Sequence, residues 1–161
     1  MKQFLCILFT FLLWLALTWS VAPAEVAVGL ILSLLVATLL AHIYPSEPEK
    51  ALDPRRLLYL ALYLPYFFYY CMKANLDVAY RVLHPDMPIR PGIVKVRTTL
   101  KTEIGKTFLA NSITLTPGTL AVDIDGQDLF VHWIYVKGDD PAEHTAEIVT
   151  RFEGLLRRVF E

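Results

Sequence analysis

The sequence predicts a membrane protein of the α+β class, in which an N-terminal transmembrane helical hairpin and a third, aromatic-rich helix precede a small C-terminal β-α-β-β-α domain. Hydrophobic residues make up 55% of the 161 residues and the mean hydropathy is +0.46, values too high for an ordinary water-soluble domain. The chain has 15 basic residues, and those before residue 73 are Lys2, Lys50, Arg55 and Arg56. We therefore expect a membrane region at residues 1–83, a proline-rich connector at 84–92 and a soluble α/β domain at 93–161.

Two uncharged runs, at residues 4–21 and 26–44, predict the helical hairpin. At 1.5 Å per residue, each run covers about 27 to 29 Å, close to the thickness of a hydrocarbon core. A cleaved signal peptide is the alternative for the first run, because Ala22-Pro23-Ala24 resembles a cleavage site. The second apolar run favours a retained hairpin. Glu25 follows Pro23 in the first turn of the second helix, where a carboxylate complements the helix dipole; a position beside an ion route is the alternative.

A third helix is predicted at residues 54–83, with Asp53 as its N-cap, Pro54 in its first turn and a kink at Pro65. Its first part is apolar and rich in tyrosine, which favours the membrane interface, and its length leaves open whether it spans or lies in that interface. Its last part is amphipathic, with Leu76, Tyr80 and Leu83 on one side and Lys73, Asp77 and Arg81 among the polar positions. Under the positive-inside rule, Arg55 and Arg56 before this segment and the basic residues after it both favour the cytoplasm, and both are satisfied only if the segment does not span. The side after the segment has the stronger claim, so we expect the C-terminal domain in the cytoplasm.

The C-terminal domain begins with a strand at 93–97, in which Val94 and Val96 point inward, and continues with a helix at 102–113. Pro117-Gly118 predicts a type II turn, and Asp125-Gly126 predicts a primed two-residue hairpin turn between two further strands. The second strand is expected to place its apolar residues on one face, and the third runs over 129–136. The apolar residues expected on the one face of the second strand are Leu120, Val122 and Ile124.

The last helix opens with Asp140 as N-cap, Pro141 and Glu143, a pattern that resembles a capping box. Its predicted apolar stripe is Ala142, Ala146, Val149, Phe152, Leu156 and Val159. We expect the first two strands to be parallel, joined by a right-handed crossover, and the last two to form an antiparallel hairpin. Both helices then cover one face of the sheet, and the open face is expected to dock on the membrane region or on another protein of a complex.

No catalytic, cofactor-binding or metal-binding constellation is found in the sequence, so we predict no enzyme activity and no cofactor. It lacks a phosphate-cradling glycine loop, metal-spaced histidines and cysteines, and a nucleophile elbow. His132 and His144 have no evident partner, and Cys6 and Cys71 lie in apolar runs as separate thiols. The net charge of −1 offers no basic field for nucleic acid. Asp123, Asp125 and Asp128 surround the predicted hairpin turn, and turn formation explains them better than a cation site does.

The run at residues 110–125, followed by Val131-His132-Trp133, resembles the hallmark of the E subunit of the Mrp/Mnh-type multisubunit sodium (cation)/proton antiporter. The apolar hairpin, the aromatic third segment and the proline-rich junction are similar as well, so the resemblance covers nearly the whole chain. It implies an accessory subunit that supports assembly and activity of a complex exchanging Na+ and H+, for cation efflux and pH homeostasis. The implied partners are the other subunits and the lipid bilayer of the cell membrane. No site residue transfers from that family to this chain.

Two other classes of function are weighed beside the antiporter. A membrane-anchored adaptor or assembly factor outside any transporter would show the same hydrophobic segments and the same small domain. A small membrane enzyme would need a constellation of reactive residues that the sequence does not contain.

Overall fold

The computed structural model describes residues 2–39 and 53–161. The chain separates after Asp53 into two compact units, and each is described by itself. The mixture of helices with a small antiparallel sheet confirms the predicted α+β class.

The first unit contains a hairpin of two helices, α1 (Lys2–Thr18) and α2 (Pro23–Leu39). Gly29, Ser33 and Ala37 recur every fourth residue of α2 and are all buried. The indole of Trp14 lies against Gly29, where a Cβ atom would collide with it, and donates from Nε1 to the carbonyl oxygen of Glu25 at 3.1 Å. Small residues therefore let the two helices approach closely, and one hydrogen bond fixes their register.

The first helix starts before the predicted run at 4–21 and ends before it, and the second starts before the predicted run at 26–44. The first ends at Thr18 because Trp19 adopts a left-handed conformation, with φ of 51°, which cannot continue a right-handed helix. The second begins at Pro23, which suits a first helical turn, and Glu25 lies in that turn as predicted. The predicted end of this helix, at 40–44, lies outside the described residues. Within residues 2–39 and 53–161, we find no helix with both the length and the apolar character needed to cross a membrane.

The second unit starts with α3 (Pro54–Leu83), an uninterrupted helix of 30 residues that contains Pro65. It continues with β1 (Gly92–Arg97), α4 (Glu103–Leu115), β2 (Thr119–Asp125) and β3 (Asp128–Trp133). It closes with α5 (Pro141–Thr145), a π-helical turn (Ala146–Thr150) and α6 (Arg151–Phe160). The compact unit thus includes α3. From the sequence, we had assigned that helix to the membrane region and expected the domain to begin at residue 93.

The sheet has the order β1-β3-β2, and both of its strand pairs are antiparallel. The predicted hairpin is confirmed, and β1 and β2 do run in the same direction. They are not neighbours, however, because β3 lies between them and pairs with both, so the crossover through α4 skips one strand. Val94 and Val96 are buried as predicted, opposite Val131 and Leu129 of β3.

The predicted single apolar face of β2 is wrong, because a β-bulge interrupts the strand between Ala121 and Asp123. Ala121 pairs with Val131 and Ile124 pairs with Leu129, so both belong to the core face. Leu120 pairs with His132 on the opposite face, and Val122 is the unpaired residue of the bulge. One extra residue therefore changes the face that each later side chain of the strand occupies.

Both glycine turns form, one of them one residue later than predicted. Gly118 has φ of 88°, as a type II turn requires. In the hairpin, Asp125 pairs with Asp128, so the two loop residues are Gly126 and Gln127 rather than Asp125-Gly126. Gly126 has φ of 60° at the first central position, the arrangement of a type II′ turn.

The last helical segment is capped as predicted but is not a uniform α-helix. The carboxylate of Asp140 accepts a hydrogen bond from the amide of Ala142 at 2.9 Å, and Pro141 occupies the first turn. The π-helical turn at Ala146–Thr150 inserts one extra residue per turn, so regular α-helical spacing does not hold across it. Of the predicted stripe, Ala142 and Ala146 are exposed, whereas Val149, Phe152, Leu156 and Val159 are buried as predicted. Ile148, absent from the predicted stripe, is buried beside Val149.

The helix α3 packs on α6 through aromatic rings and not on the open face of the sheet. The ring of Phe152 lies 6.4 Å from that of Tyr63, 6.0 Å from Phe67 and 5.9 Å from Tyr70. We call these four residues the aromatic seam. In the second unit, α4 and α6 therefore lie between the sheet and α3. The opposite face of the sheet is exposed at Ile93 and Leu120.

We expect Phe152→Ala to lower the free energy of unfolding of the full chain by about 3 to 5 kcal/mol, since it removes a fully buried ring from the seam. Thermal unfolding of the detergent-purified chain, followed by circular dichroism, measures the change. Val122→Ala is the matched control, because Val122 is exposed at the bulge and its loss should cost little. Equal shifts in the two variants would contradict the assigned role of Phe152.

Candidate functional site

A polar cleft of about 380 Å³ lies within the second unit, between the last turns of α3 and the face formed by β3 and the π-helical turn. We call it the α3 cleft. Its charged lining residues come from three separate parts of the chain, and they are Lys73, Asp77, Arg81, Lys137, Glu147 and Arg151. Aromatic walls are provided by Tyr70, Trp133 and Tyr135. This combination of fixed charge and rigid aromatic surface makes the α3 cleft the candidate site.

Arg81 is the best-fixed cation of the cleft, and it is only 8% exposed. Its Nε and Nη2 atoms donate to the two carboxylate oxygens of Asp77 at 2.8 and 3.1 Å, in the bidentate geometry that suits a guanidinium group. Nη1 donates to the carbonyl oxygen of Pro88 at 2.8 Å, and the guanidinium carbon lies 4.0 Å from the ring centre of Tyr135. Arg81 therefore ties the end of α3 to the proline-rich connector and to the segment that follows β3.

On the opposite wall, one carboxylate serves two cations. Oε1 of Glu147 lies 2.6 Å from Nζ of Lys137 and 3.9 Å from Nη2 of Arg151. The side chain of Arg151 is only 25% exposed, and its guanidinium carbon lies 5.4 Å from the ring centre of Tyr70. Burial lowers the pKa of Arg151 from its usual value, with Glu147 opposing that shift. Arg151 is therefore a partly buried cation, and the one carboxylate near it, that of Glu147, is shared with Lys137.

Two lining residues of the cleft, Trp133 and Lys137, contact a histidine for which the sequence suggested no partner. His144 is buried, its Nε2 atom lies 2.9 Å from the carbonyl oxygen of Lys137, and its ring meets Trp133 edge-on at 5.9 Å. These contacts hold the segment after β3 against the start of the last helix. His132, by contrast, is exposed on the open face of the sheet, next to Leu120 and Ile93 in register.

The polar residues at 111–119 act mainly as backbone supports. The hydroxyl groups of Thr116 and Thr119 donate to carbonyl oxygens of α4, and that of Thr114 accepts from the amide of Ala121 at 3.1 Å. Ser112 differs, because its hydroxyl donates to the carbonyl oxygen of Phe108 at 2.6 Å and also meets the phenol of Tyr63. Its single proton is used in the first bond, so Tyr63 is the donor in the second. This bond links α3 to α4, which turn chemistry alone did not predict.

The three aspartates of the hairpin lie on the open face, and Asp123 and Asp128 have separate partners. Asp125 faces Asp128 across the hairpin, while Oδ1 of Asp123 accepts from the amide of Ile124 at 2.8 Å. Asp128 lies 2.7 Å from Nζ of Lys95 and 4.0 Å from Nε of Arg97. The hydrogen bond from Lys95 holds the pKa of Asp128 below its usual value. The carboxylates therefore serve turn formation and cross-strand ion pairs.

Sequence reasoning located Lys73, Asp77 and Arg81 as polar positions of α3 but not as parts of a site. The sequence does not show which side of an amphipathic helix faces the rest of the protein. The structure turns the polar side toward the domain, and the apolar residues Leu76, Tyr80 and Leu83 are 69%, 60% and 82% exposed. The remaining cleft residues lie far along the chain from these positions, with no spacing rule to connect them.

Comparison with known proteins identifies the family. The family model described as "Na+/H+ ion antiporter subunit" matches residues 7–159, which is nearly the whole chain. The chain belongs to the E-subunit family of Na+/H+ antiporters. The predicted resemblance is thereby confirmed.

Individual relatives agree with this assignment. The chain is 32% identical to the E1 subunit of the Na+/H+ antiporter of Staphylococcus haemolyticus, over 92% of this chain and 91% of the relative. It is 43% identical to the E subunit of the Na+/H+ antiporter of Alkalihalophilus pseudofirmus, in a match that spans 51% of this chain and 53% of that one. Among solved structures, a chain of the membrane-bound sulfane sulfur reductase, an archaeal respiratory membrane complex, is 44% identical with a TM-score of 0.78, over 99% of both chains.

We expect Arg81→Lys to loosen the connector, because a lysine cannot donate at once to both oxygens of Asp77 and to Pro88. The amides of Arg90 and Val136, which bond across the connector, should exchange with solvent about ten-fold faster, as the loss of one charge-assisted bond implies. Hydrogen exchange of the full chain, read by mass spectrometry, measures this. Arg97→Lys, at an exposed position of β1, should leave both amides unchanged, and an equal effect of the two variants would rule out the assigned role.

Proposed function

We propose that this chain is the E subunit of a multisubunit cation (Na+)/proton antiporter complex in the cell membrane, where it supports assembly and activity. The family match over residues 7–159 is the observation that carries the proposal. On this proposal the other subunits conduct Na+ and H+, and the chain itself binds neither ion and catalyses no reaction. The aromatic seam and the α3 cleft are then features of an assembly and membrane-docking element.

The outward surface of α3 supports a location in a membrane complex. Its exposed apolar side chains extend along the whole helix, from Leu57 and Leu58 through Phe68 and Met72 to Leu83. A monomer in water rarely keeps so long an apolar surface uncovered. Lipid or apolar partner subunits would cover it, while the polar side of the same helix faces the sheet domain. The hairpin of α1 and α2, with its own exposed apolar side chains, would be embedded in the same way.

We further propose that the sheet domain faces the cytoplasm. Three basic residues follow the apolar part of α3 closely in sequence, namely Lys73, Arg81 and Arg90. Positive charge next to a membrane segment favours the cytoplasmic side. In that orientation, the open face of the sheet is available to a cytoplasmic part of another protein of the complex.

A second candidate function is the same structural role inside a respiratory membrane complex. The 44% identity to a chain of the sulfane sulfur reductase complex, over 99% of both chains, favours it. Subunits of one family can serve either complex because the fold fixes a scaffold and not a reaction.

Purification of the tagged full chain in mild detergent, with identification of the recovered subunits, separates these proposals. We expect a complex with several hydrophobic subunits that exchanges Na+ for H+ in proteoliposomes. Recovery of additional redox subunits together with sulfane sulfur reduction would favour the respiratory complex instead.

Deletion of the chain provides the second measurement, and it should lower both the yield of the complex and cellular sodium tolerance. A tag on an unrelated membrane protein of the same cells is the control for non-specific recovery. If the chain is recovered as a lone monomer and its deletion leaves sodium tolerance unchanged, the antiporter proposal fails and an adaptor outside any transporter becomes the better account.

A further inference from the structure

The α3 cleft carries an excess of positive charge. Asp77 is engaged with Arg81, and Glu147 is engaged with Lys137 at 2.6 Å, so two cations of the cleft have no close acid of their own. These are Arg151, at 3.9 Å from the shared carboxylate, and Lys73, which has no carboxylate within ion-pair distance in the described part of the chain. A concave site with two such charges and low-dielectric walls attracts an anion.

The walls of the cleft hold these cations in fixed positions. Arg151 is held over the ring of Tyr70. Arg81 is held over the ring of Tyr135, and its three guanidinium nitrogens donate to Asp77 and to the carbonyl oxygen of Pro88. A guanidinium group that is already ordered loses little entropy when it binds a phosphate or carboxylate oxygen. The volume of about 380 Å³ accommodates a small polar headgroup and not a folded domain.

An exposed apolar strip borders the cleft on α3. Tyr69, Leu76 and Tyr80 are spaced with Lys73 at intervals of three and four residues, so they are its neighbours at the edge where the polar side of the helix meets the apolar side. The three apolar residues are 60% exposed or more. Lys73 therefore stands at the boundary between a cationic cavity and an apolar surface. A ligand that satisfies both is an amphiphile with an anionic headgroup.

We propose that the α3 cleft binds the phosphate-bearing headgroup of an anionic phospholipid, whose acyl chains lie along Tyr69, Leu76 and Tyr80. Arg151 and Lys73 contact the headgroup, and Arg81 positions the wall of the cleft. The bound lipid would fix the depth at which α3 meets the membrane surface. The inference holds for either complex, since it concerns the membrane surface and not the transported ion.

Lipid titration of the delipidated full chain, read by native mass spectrometry, tests the proposal. The probes are phosphatidylglycerol, phosphatidylcholine and inorganic phosphate. We expect phosphatidylglycerol to bind at least ten-fold more tightly than phosphatidylcholine. In the variant that combines Lys73→Gln and Arg151→Gln, its affinity should fall by about ten-fold or more, as the loss of two cations near a lipid phosphate implies.

The control variant combines Lys101→Gln and Arg158→Gln, which removes the same charge at exposed positions outside the cleft and should leave the affinity unchanged. Lys73→Gln alone is the second test variant, because Lys73 is exposed and makes no side-chain hydrogen bond or ion pair within residues 2–39 and 53–161, and its loss should still weaken binding. Unchanged affinity in a folded cleft variant would overturn the proposal, as would equal binding of the two lipids. Displacement of the lipid by inorganic phosphate at millimolar concentration would also overturn it and indicate a site for a free anion. Recovery of an intact complex by the cleft variant separates such a failure from failure of the proposed function.

Discussion

The packing of α3 onto α6 at Phe152 is the contact on which the C-terminal unit depends. A three-stranded sheet with two helices on one face buries little apolar surface, and domains of that size are marginal by themselves. The rings of Tyr63, Phe67 and Tyr70 extend this core by a third layer. The bond between Tyr63 and Ser112 then links the same layer to α4, so α3 is a structural part of the domain and not a tether.

This packing also determines the character of the outer surface. The aromatic seam and the polar residues of the last turns face the same side of α3, so the side that faces away is apolar from Leu57 to Leu83. The helix α3 therefore presents an apolar surface outward and places Lys73, Asp77 and Arg81 in the lining of the α3 cleft. In a membrane complex, such an arrangement provides adhesion to lipid or partner subunits on one side and a defined polar chamber on the other. The family assignment and the surface of α3 agree on this point, although they rest on different observations.

Local sequence rules predicted the elements whose cause is local. Alternation identified Val94 and Val96 as core residues, positive φ explained Gly118, and the cap at Asp140 followed from residue type and spacing. The failures involve choices that local rules do not decide. The position of β3 between β1 and β2 depends on long-range pairing, and the bulge at Val122 and the π-helical turn each change the periodicity by one residue. The cleft was missed for the same reason, because Arg81 and Arg151 meet only after α3 docks on the domain.

The docking of α3 can be tested in native membranes, with the complex intact, by cross-linking. Sγ of Cys71 lies 3.7 Å from the carbonyl oxygen of Leu115 at the end of α4, so a cysteine at position 115 should be joined to Cys71 by a short bis-maleimide in a Cys6→Ser background. Gln127→Cys, at the other end of β2 and about 20 Å away by strand geometry, should not be joined. Efficient intramolecular cross-linking of Leu115→Cys alone is the result that docking requires. Failure of that cross-link, while both thiols still react with a monofunctional maleimide, would show that α3 does not pack on the domain in the membrane.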